Sequence, residues 1–276
     1  MPSVRRVFSS VCAFFVLAIS TSPVMAESTL VLAKDVDWGY LNPLRGDKSP
    51  AAANLWGNRT TPGATGMFVK FVDDFRSPPH IHNISYRGIV ISGEVHNADK
   101  SAPDMWLPTG SYWTQPAGGD HITAAKGTNN MIYLEIDSGP YLVKPSSEQF
   151  DNGETPINLH YDNLVWLTNE QSNVVNTKGI EIAYLWEKPS QSKTNKTSGT
   201  LLKLDKGATG KLQQLGTELK LVVVSGTLGL REESATNTQA LSPGSLYSVS
   251  GKTFIALEGR NDALVYVRSD NQFKVQ

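Results

Sequence analysis

The sequence has almost no cysteine and no excess of charge, and both absences exclude classes of protein. Cys12 is the only cysteine among 276 residues. It lies in an apolar N-terminal stretch, so the rest of the chain has no disulfide and no thiolate metal ligand. Lysine and arginine number 25, and aspartate and glutamate number 26. A nearly neutral surface of this kind gives no electrostatic reason to expect binding to nucleic acid or to an anionic membrane.

The N-terminus has the pattern of an export signal. Arg5 and Arg6 precede an uncharged apolar stretch, and a small-x-small cleavage site ends at Ala26. We therefore expect residues 1–26 to be a signal peptide, with the general secretory route favoured over the twin-arginine route. The mature protein is then periplasmic or secreted, without a membrane segment. Removal of the two arginines leaves 23 basic against 26 acidic side chains.

Long stretches of helical period are also missing. Short β-branched or aromatic runs are instead separated by glycine, proline, asparagine and aspartate. Examples are 67–72, 89–92, 131–136, 219–224 and 263–267. This pattern predicts an all-β protein, and the frequent turn residues favour sandwiches or barrels closed by hairpins.

The chain also repeats itself at an almost constant spacing. The run 68–71 corresponds to 201–204 and the run 89–93 to 222–226, both at an offset of 133. Gly110-Ser111 recurs as Gly244-Ser245, and Leu55-Trp56 as Leu185-Trp186. Two copies of one domain explain these matches most simply. We expect an N-terminal domain at 27–150, a linker at 151–178 and a C-terminal domain at 179–276.

Three histidines form the most informative pattern. His80 and His82 are two apart on a predicted strand, so their imidazoles point to the same face. His121 follows the turn-forming Pro116-Ala117-Gly118, which can direct its side chain back across a small barrel. Three imidazoles that converge make a transition-metal site.

The second copy lacks these ligands. In the register of the repeat, the counterparts of His80, His82 and His121 are Gln213, Leu215 and Ile255. The C-terminal domain is therefore expected to be a degenerate copy that supplies a packing surface or an apolar pocket.

These residues resemble the cupin superfamily. Its second motif matches at Gly110, Pro116, Gly118 and His121, and its first at His80, His82 and Gly93. Tyr86 stands where the first motif has a glutamate ligand. Through LWGNR, FVKF, SPPHIHNISYRGIVISG and GSYWTQPAGGDHITAA the chain also looks like a bacterial tandem-cupin family described as a domain of unknown function. The resemblance implies two tandem cupin barrels of the jelly-roll, or double-stranded β-helix, type.

The missing glutamate changes the expected chemistry. Three neutral imidazoles leave a divalent ion with its full double charge, so it should be a strong Lewis acid with open positions. Tyr86 is a candidate metal ligand, a candidate hydrogen-bond donor to bound substrate or dioxygen, or a packing residue. Glu135 lies on a predicted strand with two faces. One face carries Ile132, Leu134 and Ile136, and the other carries Met131, Tyr133 and Glu135. It is a candidate acid or base if the second face lines the barrel, and otherwise a solvated carboxylate.

Two hypotheses for function follow. Cupins with three histidines that resemble this one include dioxygenases, which suggests a metal-dependent enzyme acting on a small oxygen-chelating compound. The alternative is a module that binds a metal or small ligand without turnover, similar to the cupin domains of zinc-dependent anti-sigma factors. The expected cofactor is one divalent ion, with iron, zinc, manganese or nickel as candidates. The resemblance also suggests a homodimer.

Overall fold

The computed structural model describes residues 27–189, 196–270 and 272–276. The predicted signal peptide, 1–26, lies outside the described residues. Within the described ranges, no helix has the length and apolar character needed to cross a membrane. Short 3-10 turns are present at Ala33–Asp35, Pro43–Lys48, Ser146–Glu148 and Tyr161–Asn163.

Antiparallel strands make up most of the chain. Those in the first half are β1 (Glu27–Val31), β2 (Gly39–Tyr40), β3 (Ala51–Trp56), β4 (Thr65–Phe71), β5 (His80–His82), β6 (Tyr86–Ala98), β7 (Leu107–Pro108), β8 (Tyr112–Gln115), β9 (Ile122–Ile136) and β10 (Val143–Pro145). Those in the second half are β11 (Ile157–Leu159), β12 (Ile180–Pro189), β13 (Lys196–Leu204), β14 (Thr209–Gln214), β15 (Glu218–Glu232), β16 (Gln239–Leu241), β17 (Leu246–Ser250), β18 (Thr253–Ser269) and β19 (Phe273–Val275).

Two main sheets form two barrels. The first sheet has the order β11-β8-β6-β9-β4-β3-β2, and the second has the order β1-β17-β15-β18-β13-β12. A small separate pair, β5 with β10, carries His80 and His82 in the first barrel. The prediction of an all-β protein built from two jelly-roll barrels is confirmed.

The two barrels exchange their leading strands. β1 pairs with β17 in the second sheet, although it precedes the first barrel in sequence. β11 pairs with β8 in the first sheet, and it lies within the segment 151–178 predicted to be a linker. Each barrel is therefore completed by a strand that comes before the other copy, and the segment 151–178 contributes to the first sheet.

The repeated residues face each other between the barrels. Phe68 and Leu201, Ile89 and Val222, and Tyr133 and Tyr266 are pairs at an offset of 133, and all six are buried in one apolar cluster. Matching positions thus supply both sides of a pseudo-twofold interface. On β9 the alternation separates two buried faces: Ile132, Leu134 and Ile136 pack inside the first barrel, and Tyr133 packs in the interface.

The interior of the second barrel is packed with aliphatic side chains. Leu212 pairs with Ile255 across β14 and β18, as His80 pairs with His121 in the first barrel. Both Leu212 and Ile255 are fully buried. The offset of 133, applied without a gap, aligns His80 with Gln213, whereas the structure places Leu212 at the equivalent position. The alignment of β14 with the first barrel is therefore shifted by one residue. The described part of the chain holds no second cluster of three metal-ligating side chains.

Candidate metal centre

Backbone pairing brings the three histidines together. His80 and His82 share one face of the short strand β5. The amide of His80 donates to the carbonyl of His121, and the amide of His121 donates back, both at 3.0 Å. As a result, one ring nitrogen from each of His80, His82 and His121 lies within 4.8 Å of the other two.

Hydrogen bonds to backbone carbonyls fix the tautomer of each ring. The Nδ1 atoms of His80, His82 and His121 lie 3.0, 3.1 and 2.9 Å from the carbonyl oxygens of Pro78, Leu142 and Gly119. A carbonyl oxygen only accepts, so each Nδ1 carries the proton. Each Nε2 therefore keeps a free lone pair, which is the form in which histidine binds a metal.

Burial keeps the three imidazoles neutral. It lowers the pKa of His80, and it lowers that of His82 well below the usual value, with His121 and His80 contributing to the latter shift. Burial, followed by the neighbouring His80, lowers the pKa of His121 to about 3. All three rings are thus available as ligands at neutral pH.

Two tyrosines lie beside the ligand nitrogens. The hydroxyl oxygen of Tyr86 is 3.4 Å from Nε2 of His121, and that of Tyr141 is 3.1 Å from Nε2 of His82. The Tyr141 ring also stacks on His82, with a centroid distance of 4.4 Å. Burial raises the pKa of both phenols, so both remain protonated.

Tyr141 was not among the residues identified from the sequence. It lies 59 positions after His82 and outside both motifs, so no local pattern indicates it. Asn97, which accepts a hydrogen bond from Tyr86 at 3.0 Å, is also new. Register shifts in β6 between Tyr86 and Asn97 bring these two residues to one side of the strand despite their odd separation.

His80, His82, Tyr86 and Tyr141 line a cavity of about 90 Å³. This volume is several times the roughly 10–15 Å³ that one water requires. Most of the wall is apolar, from Val69, Phe71, Phe75, Trp113, Ile132 and Leu134. Arg45 is the only residue with a formal charge among the described lining residues.

Glu135 is not part of this cavity. It lies on the other face of β9 from Ile132 and Leu134, and only 1% of it is exposed. Tyr133 and Tyr266 donate hydrogen bonds to its carboxylate at 3.1 and 2.8 Å. Arg87 and Arg268 form ion pairs with it at 3.0 and 3.4 Å. Glu135 is therefore neither next to the histidines nor solvated; it holds the two barrels together.

The residues present fit a single metal ion. Three neutral nitrogens direct lone pairs towards a common region. No carboxylate lines the described cavity wall beside His80 and His82, and Asp120 lies outside that wall near His121. The Tyr86 hydrogen is committed to Asn97, so the Tyr86 oxygen and Nε2 of His121 face each other with no proton between them. The donor set is one that zinc, iron, manganese and nickel accept.

The fold is similar to those of several solved enzymes. A candidate dioxygenase from Nostoc punctiforme PCC 73102 is 16% identical, with a TM-score of 0.65 over 92% of this chain and 86% of that chain. Salicylate 1,2-dioxygenase from Pseudaminobacter salicylatoxidans is 12% identical, with a TM-score of 0.58 over 92% and 86%. Oxalate decarboxylase from Lactobacillus farciminis is 12% identical, with a TM-score of 0.56 over 88% and 87%. These similarities support the cupin fold.

Comparison by sequence gives the family. No curated protein matches the chain. The family model described as "Domain of unknown function (DUF4437)" matches residues 29–276, which is nearly all of the chain described by the structure. The chain belongs to the DUF4437 family.

Proposed function

We propose that this chain is an exported bicupin that binds one divalent metal ion and acts as a metal-dependent dioxygenase on a small oxygen-chelating compound. The observation that carries the proposal is the convergence of three ring nitrogens on one region, each with its Nδ1 proton held by a backbone carbonyl. Iron, zinc, manganese and nickel are the candidate ions for this set of three nitrogens.

The cavity supports turnover more than a purely structural ion. A structural site is closed by four protein ligands, whereas a catalytic site keeps open positions. Here three protein nitrogens converge, and two of the three histidines, His80 and His82, line a cavity with room beyond them. An ion bound there would supply Lewis acidity and adjacent positions for substrate and dioxygen.

The surrounding residues favour a small anionic ligand. The cavity wall is mostly apolar, and Arg45 adds a positive charge to its lining. The described wall of this cavity carries no carboxylate, although Asp120 acts electrostatically on His80 and His121 from outside it, so an anionic ligand would add to the compensation of a bound ion's charge. Salicylate 1,2-dioxygenase, which shares the fold, has been solved as adducts with gentisate, and this likeness agrees with a small ligand here.

Export is also part of the proposal. The described residues of β1, Glu27–Val31, all pair with β17. Cleavage after Ala26 would leave these five residues in the mature chain. The mass and N-terminal sequence of protein recovered from the periplasm test this directly, and a mature chain that still carries residues 1–26 would contradict it.

Oxygen consumption tests the enzyme. Protein purified as isolated is first analysed for metal, then loaded anaerobically with ferrous ion and offered a panel of diketones, phenolic acids and hydroxy acids. We expect oxygen uptake with at least one of them, and none from His121→Gln protein treated in the same way. Fully iron-loaded protein that consumes no oxygen with any compound would overturn the enzyme and leave the non-catalytic binding module.

A further inference from the structure

A chain of side-chain hydrogen bonds behind the metal centre has a fixed direction. The carbonyl oxygen of Gly119 can only accept, and it lies 3.1 Å from Nε2 of Gln115. Gln115 must therefore place its Oε1 towards Asn97, where it accepts from Nδ2 at 2.9 Å. Asn97 in turn places its Oδ1 towards Tyr86 and Thr123, and accepts a hydrogen bond from each hydroxyl at 3.0 and 2.8 Å. We call Gly119, Gln115, Asn97 and Tyr86 the amide relay.

The amide relay determines the polarity of Tyr86. A phenol has one hydrogen, and the relay holds that hydrogen on Asn97. The Tyr86 oxygen therefore presents only a lone pair to the cavity and accepts hydrogen bonds there. Only 4% of Tyr86 and 3% of Asn97 and Gln115 are exposed, so water does not compete for these groups.

Tyr141 has the opposite polarity. Nδ1 of His82 donates to the carbonyl of Leu142, so Nε2 of His82 can only accept, and the Tyr141 hydroxyl donates to it at 3.1 Å. This is the one hydrogen bond of the Tyr141 hydroxyl within the described residues. A metal ion that takes the lone pair of His82 would leave the Tyr141 hydrogen free for a ligand in the cavity.

We propose that Tyr86 and Tyr141 select the ligand by these opposite polarities, and the proposal rests on the metal site described above. A matching ligand donates from a protonated hydroxyl to Tyr86 and accepts on a second oxygen from Tyr141. Aliphatic α-hydroxy acids combine both groups on adjacent carbons, and the small apolar cavity suits their size. An enolate has no hydroxyl hydrogen to donate and fits this pair of phenols less well.

Binding of a matched pair of acids tests the proposal without turnover. Lactate and its methyl ether, 2-methoxypropionate, share a carboxylate and differ in the hydroxyl hydrogen. With zinc-loaded protein studied by calorimetry, we expect lactate to bind about tenfold more tightly, the effect of one good hydrogen bond. Tyr86→Phe should bring the two acids to equal affinity. Tyr141→Phe should weaken both and preserve the preference.

Two further measurements separate selection from misfolding and from steric exclusion. In Tyr86→Phe, Thr123 still donates to Asn97, so no buried acceptor loses all its partners; zinc affinity and thermal unfolding should stay near those of the unaltered protein. In Asn97→Leu, the Tyr86 hydrogen is released towards the cavity, and the preference for lactate should disappear although Tyr86 remains.

A preference for lactate that persists in Tyr86→Phe would show that the methyl group is excluded by size, and equal binding by the unaltered protein would show no selection. Either result overturns the proposal. Both leave the dioxygenase hypothesis to the oxygen measurement, whereas failure to bind zinc would remove the metal site itself.

Discussion

At the scale of single residues, the metal centre depends on which atom of each side chain is free. The same three histidines with the opposite tautomer would direct N–H groups towards one another and bind no metal ion. Backbone carbonyls of Pro78, Leu142 and Gly119 prevent this by accepting from each Nδ1. Metal binding is thus a property of the local backbone as much as of the histidines.

Replacement of His82 by glutamine tests this centre. Only two of the three ligand nitrogens remain. Loss of a residue that merely supports a metal ligand lowers metal affinity by up to about 100-fold, so loss of a ligand itself should lower the affinity for zinc by at least about 100-fold. His160→Gln is the matched control, because His160 lies outside the cluster and accepts from the amide of Asp162. Metal content after dialysis measures both variants. Equal zinc content in the two would contradict the assignment.

At the scale of strands, glycines allow aromatic side chains to lie against the sheet in both copies. A Cβ at Gly66 would be 2.1 Å from Nε1 of Trp56, and a Cβ at Gly199 would be 2.0 Å from Nε1 of Trp186. Each indole donates to the hydroxyl of a tyrosine, Tyr133 at 2.9 Å and Tyr266 at 3.1 Å. The repeat therefore conserves a three-residue packing unit as well as the strands.

Alanine at Gly66 or at Gly199 should destabilise the protein. The added methyl group displaces a half-buried indole, and overpacking of this kind costs about 1–3 kcal/mol. Gly39→Ala is the control, because a Cβ there meets nothing within 4 Å, and it should change stability by less than about 0.5 kcal/mol. Denaturant unfolding measures all three. Similar midpoints for all of them would show that the indoles move without cost.

At the scale of the whole molecule, Glu135 connects the two barrels. It receives hydrogen bonds from one tyrosine of each barrel and ion pairs from Arg87 and Arg268. In the repeat, position 268 corresponds to 135, so the two copies place opposite charges at equivalent sites. The two barrels are therefore complementary in charge at this point, although their sequences repeat one pattern of strands.

Loss of the charge on Glu135 should destabilise the assembly of the barrels and spare the metal site. Glu135→Gln removes the ion-pair partner of Arg268 and leaves Arg87 paired with Asp137 alone, and removal of one partner from a buried ion pair costs about 3–5 kcal/mol. Glu187→Gln, which removes an exposed partner of Lys196, should cost less than about 1 kcal/mol. Unfolding in urea and zinc titration are measured together. Weaker zinc binding by folded Glu135→Gln protein would indicate a role at the metal after all.

Asp137 makes the same interface sensitive to acid. Burial alone would raise its pKa, but hydrogen bonds and charges from Arg87 and Lys188 outweigh this effect and hold the pKa well below its usual value. Because the unfolded state takes up the proton first, the stabilisation is present above about pH 4 and is lost as the pH falls towards the folded pKa. Asp137→Asn should therefore lose less stability than the unaltered protein between about pH 5 and pH 3. Parallel losses in the two proteins would contradict this account.

Features that depend on residues near one another in the chain were predictable from the sequence alone. Strand alternation, turn residues and the offset of 133 indicated two β barrels, and two-residue spacing placed His80 and His82 on one face. The motif around His121 indicated the third ligand, because a turn of defined length fixes where the next side chain points.

Which surfaces and atoms meet could be learned only from the folded chain. Alternation showed that β9 has two faces, but both are buried, so periodicity alone did not tell the cavity face of Leu134 from the interface face of Glu135. Tyr141 reaches His82 from 59 residues away, and β1 and β11 each complete the other barrel. These contacts depend on the packing of distant segments, because burial and hydrogen-bond partners are set by the whole fold and leave no local periodicity in the chain.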